Sequence, residues 1–160
     1  MSLSQKIVAA LDAAQSPSAV PGTVSATESG HDLSIDVTAC GPVGFAFSSL
    51  AFFTPARAGL SPEALRGWAD QLASRITYLM EPLVVVEHDP LSGEVELRSE
   101  LPTARGEARS YYEIVLDNQA KLSLSRVAFD DASRRRRPAH CQMTREVLER
   151  LTDELVNCAS

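Results

Sequence analysis

The adjacent pair His140 and Cys141 has the residue types of a nucleophilic site. A histidine activates a cysteine when a ring nitrogen of the histidine lies against the sulfur. Neighbouring residues on a strand point to opposite sides, so adjacency in the chain does not create that geometry. We therefore interpret the pair as a loop histidine followed by a half-buried cysteine, and keep thiol catalysis as a minor hypothesis.

Metal binding requires three or four ligands that converge on one ion. The candidate ligands are widely spaced, and no predicted helix carries two of them four residues apart. These ligands are His88, Asp89, His140, Cys141 and Cys158. The acids Glu94 and Glu96 share the solvent-exposed face of a predicted strand, where no neighbouring residue would desolvate one of them and raise its pKa. The sequence thus indicates no catalytic residue, no metal and no cofactor.

Four successive arginines are the most conspicuous local feature of the chain. They are Arg134, Arg135, Arg136 and Arg137. Guanidinium groups pair with phosphate and carboxylate through two parallel hydrogen bonds, so the run is a candidate contact for an anion or a partner. Runs of like charge are more often solvated surface, and nearby Asp130 and Asp131 offset part of this one. We expect a charged surface loop from Asp130 to Pro138.

A second candidate contact is Tyr111, beside Tyr112 in a predicted strand. The two rings must point to opposite faces of the sheet. Tyr112 has the same phase as Ile114 and Leu116, which predicts that it faces the core. Tyr111 then faces outward, where it either contacts a partner or packs against a neighbouring strand.

Three amphipathic helices are predicted to position these residues. The first runs from Leu3 to Ala14, the second begins after Ser61 and ends before Pro82, and the third runs from Arg145 to about Asn157 with Thr144 as its cap. The second helix has the clearest apolar face. That face consists of Leu65, Trp68, Ala69, Leu72, Ile76 and Leu79.

Seven strands are predicted between the helices. They are Thr23–Thr27, Leu33–Ala39, Val43–Phe53, Leu83–Glu87, Glu94–Arg98, Arg109–Asp117 and Lys121–Phe129. The spacing of the phenylalanines in the third strand predicts either contact on both faces or a bulge, and a phase change in the last strand predicts a bulge before Val127. Connectors are expected from Ser18 to Gly22 and from Pro102 to Gly106. The prediction is a single α+β domain over residues 1–160, an antiparallel sheet covered by three helices in the order α-βββ-α-ββββ-α.

Composition narrows the function classes. The chain of 160 residues is 44% hydrophobic and carries a net charge of −6, which favours solubility and argues against nucleic-acid and anionic-membrane binding. No apolar run approaches the ~20 residues that span a bilayer, and the first residues do not resemble an export signal. The widely spaced Cys40, Cys141 and Cys158 indicate reduced thiols in a bacterial-type cytoplasm.

The order helix, three strands, helix, further strands, helix, together with the small size and acidic composition, resembles the fold of type III secretion chaperones. That resemblance implies a cytosolic homodimer that binds an extended segment of a secreted protein, and it transfers no site residues. The phenylalanine-rich strand Val43–Phe53 would also favour a homodimer if one of its edges were unpaired. We therefore expect a non-enzymatic protein-binding or chaperone-like module. The alternatives are a small-molecule-binding or enzymatic domain with a pocket between sheet and helices, and nucleic-acid binding through the arginines.

Overall fold

The computed structural model describes residues 1–14, 21–79, 81–100, 103–105 and 108–159. Most of the predicted connector at 18–22, and part of the one at 102–106, lie outside these residues. The helices are α1 (Leu3–Ala13), α2 (Pro62–Arg75) and α3 (Arg145–Ala159). The strands are β1 (Gly22–Glu28), β2 (His31–Cys40), β3 (Gly44–Phe53), β4 (Leu83–Asp89), β5 (Glu94–Ser99), β6 (Thr103–Arg105), β7 (Ala108–Asp117), β8 (Lys121–Asp130), β9 (Arg135–Ala139) and β10 (Cys141–Thr144).

The strands of the described residues form one antiparallel sheet of ten strands. Its central path is β1-β2-β3-β8-β7-β5-β4, with β6 paired to β7, β9 to β8 and β10 to β3. The α+β class, the three helices and the seven predicted strands are confirmed. Strand β6 lies in the predicted connector, and β9 includes residues 135–138 of the charged loop predicted from Asp130 to Pro138. Both are short and polar, so neither shows the alternation that identifies a strand in sequence.

The three helices share one apolar core with the sheet, which defines a helix side and an opposite, open side. In α2, the Ser61 hydroxyl accepts a hydrogen bond from the Ala64 amide, and Trp68 and Leu72 are buried as predicted. This helix ends at Arg75, earlier than the expected limit at Pro82, although Ile76 beyond its end is still buried. The cap predicted for α3 is also confirmed, because Thr144 accepts a hydrogen bond from the Val147 amide.

For the third strand the structure has the bulge, one of the two alternatives that the sequence left open. Register shifts between β2 and β3 leave Ser48 and Thr38 without a direct partner in the other strand. The alternation of buried and exposed residues in β3 shifts by one residue at this point. The bulge expected before Val127 is wrong, because β7 and β8 pair without a shift from Leu116 to Ala108. The next inward-facing position after Leu124, where the sequence has no apolar residue, is occupied by Arg126, whose side chain is buried.

Strands β3 and β8 separate after a short paired stretch, which ends at Ser49 and Ser125. Beyond that point β9 pairs with the second half of β8, and β10 pairs with the first half of β3. The chain passes from one to the other at His140. We call this region, where β9 and β10 fill the gap between β3 and β8, the fork.

The strand ends beyond the fork form a four-stranded extension of the sheet, which we call the arm: the described residues 103–105, 108–110 and 127–138. None of its described side chains is buried. The sequence over 103–110 and 127–138 has six arginines and three acids, a net charge of +3, whereas the rest of the chain carries −9. Positive charge is therefore concentrated on one end of an otherwise acidic protein.

Candidate functional site

The structure separates His140 from Cys141. Cys141 is fully buried, and burial raises the pKa of its thiol to about 12. A thiol with that pKa stays protonated at neutral pH and is a poor nucleophile. The His140 ring is exposed, with its Nδ1 atom 3.2 Å from the Thr38 hydroxyl. The pair therefore has neither the geometry nor the thiolate that nucleophilic catalysis requires.

The three thiols are expected to differ sharply in reactivity. Cys158 is also fully buried, and burial raises its pKa, whereas Cys40 is half-buried at the end of β2. With a thiol-reactive dye at pH 8, one cysteine should label rapidly in the folded protein and all three in denaturant. The C40S variant should lose the rapid phase. Equal labelling rates for three native thiols would contradict this picture.

Glu96 of β5 is part of a charge network that the sequence did not reveal. Glu96, expected on a solvated face, shares a hydrogen bond with Glu113 of β7. Burial and this neighbour raise the pKa of Glu113. Burial also acts to raise the pKa of Glu96, but hydrogen bonds from Glu113 and Arg98 hold it below its ordinary value. The guanidinium of Arg98 lies 2.8 Å from Glu96, and that of Arg136 lies 3.1 Å from Glu113.

Arg98 of this network also accounts for the burial of Tyr111. Tyr111 lies outside the apolar core that contains Tyr112, as the alternation predicted. However, only 7% of Tyr111 is exposed, because the guanidinium of Arg98 lies over its ring, 4.9 Å from the centroid. The ring therefore packs against a neighbouring strand and leaves little surface for a partner.

The arginine run lies at the tip of the arm and along its outer strand. Arg134 has a φ of 59° and closes the tight turn between β8 and β9, where its amide donates to the Asp130 carbonyl. Arg135, Arg136 and Arg137 are the first three residues of β9 and are all exposed. The expectation of a loop up to Pro138 is wrong because β8 and β9 pair as a hairpin, with Asp130 opposite Arg135.

Most of this positive charge is uncompensated. Arg136 pairs with Glu113, but Arg134, Arg135 and Arg137 make no ion pair with any residue that the structure describes. The outer edge of β9 is unpaired within the same described part of the chain. Its arginines and Pro138 are features that keep an edge strand from pairing indiscriminately with other strands. Side-chain contacts, rather than strand addition, are thus the natural means of binding here.

Two cavities are relevant to binding. The larger, about 660 Å³, lies on the helix side near the start of α3, and no charged side chain lines it. Its lining consists of Ala39, Cys40, Gly41, Gly44, Phe45, Ala46, Tyr78, Leu79, Tyr112, Gln142, Met143, Thr144 and Val147. A cavity of about 400 Å³ lies in the fork. It is lined by Ser48, Ser125, Arg126, Val127, Arg136, Arg137 and Pro138.

The described residues contain no group of three histidine, cysteine or acidic side chains placed to hold a metal ion. No described helix combines the length and apolar character needed to cross a membrane. The chain matches no family model, no curated protein and no solved structure. Its class is therefore defined by its architecture, an α+β domain with a basic arm beyond the fork.

Proposed function

We propose that this chain is a non-enzymatic protein-binding module that uses its arm to hold an acidic segment of a partner protein. The observation that carries the proposal is the exposed charge of Arg134, Arg135 and Arg137, which have no acidic partner among the described residues. Uncompensated arginines on an open edge pair well with carboxylates. The remaining chain carries a charge of −9 and repels an acidic segment, so such a segment is directed toward the arm as it approaches.

An acidic protein segment fits this surface better than a nucleic acid does. A long polyanion that extended beyond the arm would meet the acidic remainder of the chain and be repelled. Proteins that hold single-stranded nucleic acids commonly stack the bases on exposed aromatic rings. Tyr111 is buried beneath Arg98, so it supplies no such platform.

The chaperone-like role, the homodimer and the cytoplasmic compartment remain predictions. The structure removes one reason for the homodimer, because β3 is an internal strand that pairs with β2 on one side and with β8 and β10 on the other. Phe45, Phe47 and Phe52 are consequently buried within the fold. The homodimer now depends on the resemblance alone.

A second candidate function is the binding of a small uncharged molecule in the helix-side cavity. Its volume of about 660 Å³ is within the range of about 300–1,000 Å³ typical of ligand pockets. Neither His88 nor His140 lines it, so it offers no histidine for acid–base chemistry. Protection of Cys40 from the thiol dye by an apolar ligand would support this function, since Cys40 lies in the lining.

The arm is expected to bind a fluorescent acidic peptide in a salt-dependent way. The screening length falls from about 30 Å at 0.01 M salt to about 8 Å at 0.15 M, so fluorescence anisotropy should show strong binding only at the lower concentration. The triple variant R134S/R135S/R137S should bind at neither concentration. Its unfolding free energy should stay within about 0.5 kcal/mol of the parent value, because these side chains are exposed.

The matched control is R66S/R75S/R150S, which removes the same charge from exposed positions on α2 and α3. This control should retain peptide binding at low salt. Equal losses in both triple variants would mean that the peptide senses only the overall charge, and would contradict a site on the arm. Binding of heparin or RNA in place of the peptide would show that the partner is a different polyanion.

A further inference from the structure

The register between β8 and β9 places two of the uncompensated arginines on one face of the arm. Paired residues of neighbouring antiparallel strands point to the same face, and successive residues of one strand alternate between faces. Arg135 and Arg137 are two residues apart in β9, and Arg137 pairs with Ala128. Ala128 is two residues from Arg126, whose guanidinium lies over the ring of the core residue Tyr112. Arg135 and Arg137 are therefore on the face of the arm that continues the helix side of the sheet.

The opposite face of the arm carries an arginine that already has an acidic partner. Arg136 pairs with Phe129, one residue out of phase with Ala128, and so points to the open side. There its guanidinium lies 3.1 Å from Glu113. An acidic ligand on the open side would have to compete with Glu113 for Arg136, whereas on the other face it would meet no such competitor for Arg137 among the described residues.

The face that holds Arg135 and Arg137 is accessible. We call it the basic face of the arm and define it by Ser110, Ala128, Arg135 and Arg137. Both arginines are exposed, and the small Ala128 lies between Ser110 of β7 and Arg137 of β9. The Ser110 hydroxyl accepts a hydrogen bond of 3.1 Å from Arg126, so its own hydrogen remains to be donated to a ligand.

The acids beside the basic face have other partners. Asp130 pairs in register with Arg135, and its Oδ1 atom accepts a hydrogen bond of 3.0 Å from the Ala132 amide. Glu81 is buried against Arg126. Neither acid forms an ion pair with Arg135, so the charge of this arginine is available to a ligand.

We propose that the acidic segment of the partner lies extended on the basic face of the arm and carries carboxylates at alternate positions, one for Arg135 and one for Arg137. This inference rests on the proposed function, and it adds the face, the conformation and the spacing of the acids. Alternate residues are roughly 7 Å apart both in β9 and in an extended segment, so each guanidinium meets one carboxylate. The residue between the two acids points away from the arm and needs no charge.

Two fluorescent peptides of identical composition test the spacing on the full chain. Both contain equal numbers of glutamate and serine. In one the two residues alternate, and in the other adjacent glutamate pairs are separated by adjacent serine pairs, so that no two glutamates are two residues apart. At 0.01 M salt we expect the alternating peptide to bind about fivefold more tightly, the effect of one well-formed exposed ion pair. The variant R135S/R137S should bind both peptides weakly and without a preference.

Single charges added to β8 test the face. Ala128→Glu places a carboxylate directly opposite Arg137, where it should occupy that arginine and remove the preference for the alternating peptide. Val127→Glu adds the same charge one residue earlier, on the open side, and should keep the preference. Both positions are half-buried, so thermal unfolding must show that each variant is folded.

If either glutamate variant fails to fold, exposed arginines provide the same comparison. The variants R135S/R137S and R134S/R136S remove equal charge from one hairpin, and only the first should abolish the preference.

Equal affinity of the parent protein for the two peptides would overturn the spacing. Equal effects of A128E and V127E, or of the two arginine pairs, would overturn the face. In each of these cases, peptide binding that R134S/R135S/R137S abolishes would leave the proposed function intact. Failure of both peptides to bind the parent protein at low salt would overturn the proposed function itself.

Discussion

Replacing Arg126 with alanine is expected to destabilise the protein by about 3–5 kcal/mol, the cost of leaving a buried charge without its partner. Arg126 lies 3.4 Å from Glu81, and their side chains are only 8% and 6% exposed. Its guanidinium also contacts the Ser110 hydroxyl at 3.1 Å and lies 4.6 Å from the centre of the Tyr112 ring. One oxygen of the buried Glu81 carboxylate already has no hydrogen-bond partner among the described residues, and the alanine variant also removes Arg126, the partner of the other oxygen.

Chemical denaturation of two variants distinguishes the ion pair from simple packing. In R126M/E81L both charges are replaced by apolar groups of similar size, and the unfolding free energy should recover most of the loss seen in R126A. The exposed pair Arg66–Asp70 of α2 serves as a control, since R66A should cost less than about 1 kcal/mol. If the double variant were as unstable as R126A, the loss would come from packing of the arginine stem instead of from charge.

The second large effect is expected in the core beneath α2. Leu72 is fully buried, so its replacement by alanine should cost about 2–5 kcal/mol through lost apolar contact and a residual cavity. In contrast, Glu63 is exposed in the first turn of the same helix, where its charge interacts with the helix dipole. The change Glu63→Gln should cost less than about 1 kcal/mol.

Denaturant unfolding at one pH compares the two α2 variants directly. Both substitutions lie on one helix, so a general instability of α2 would lower the unfolding free energy of both variants by similar amounts. Such a result would show that the buried face of α2 has been misassigned. The slope of unfolding free energy against denaturant should be the same in both, since neither change alters the surface exposed on unfolding.

Most of the architecture is encoded in short-range patterns. Period-two alternation in β2 and β7, and the capped apolar face of α2, are local signals that any strand or helix of this kind must carry. The early end of α2 escaped prediction because Ile76 and Leu79 keep the helical spacing after the helix has stopped. Strand β9 escaped because its stability comes from pairing with β8, and its own residues are arginines and a proline.

The candidate site was visible in part. The arginine run identified the arm as a charged surface, but the sequence could not show that Arg136 is held by Glu113 while its neighbours have no such partner. Ser48 and Ser125 carry no distinguishing signal, since polar residues are ordinary on an exposed strand face. Their meeting depends on the register between β3 and β8, a relation between distant segments. Arg126 gave a signal, an apparent phase slip, that a bulge would produce equally well.

The fork also determines the order in which the molecule can be completed. Cys141 of β10 pairs with Phe47 of β3, so two segments that are distant in the sequence must meet before the gap closes. Contacts this far apart in sequence incur a large loop-closure entropy and tend to form late. During synthesis, the first half of β3 has an unsatisfied edge until the last strand emerges, and α3 can dock only after that. The fork therefore closes only after residues 141–144 have been synthesised, and a product truncated before them would leave the first half of β3 with an unpaired edge.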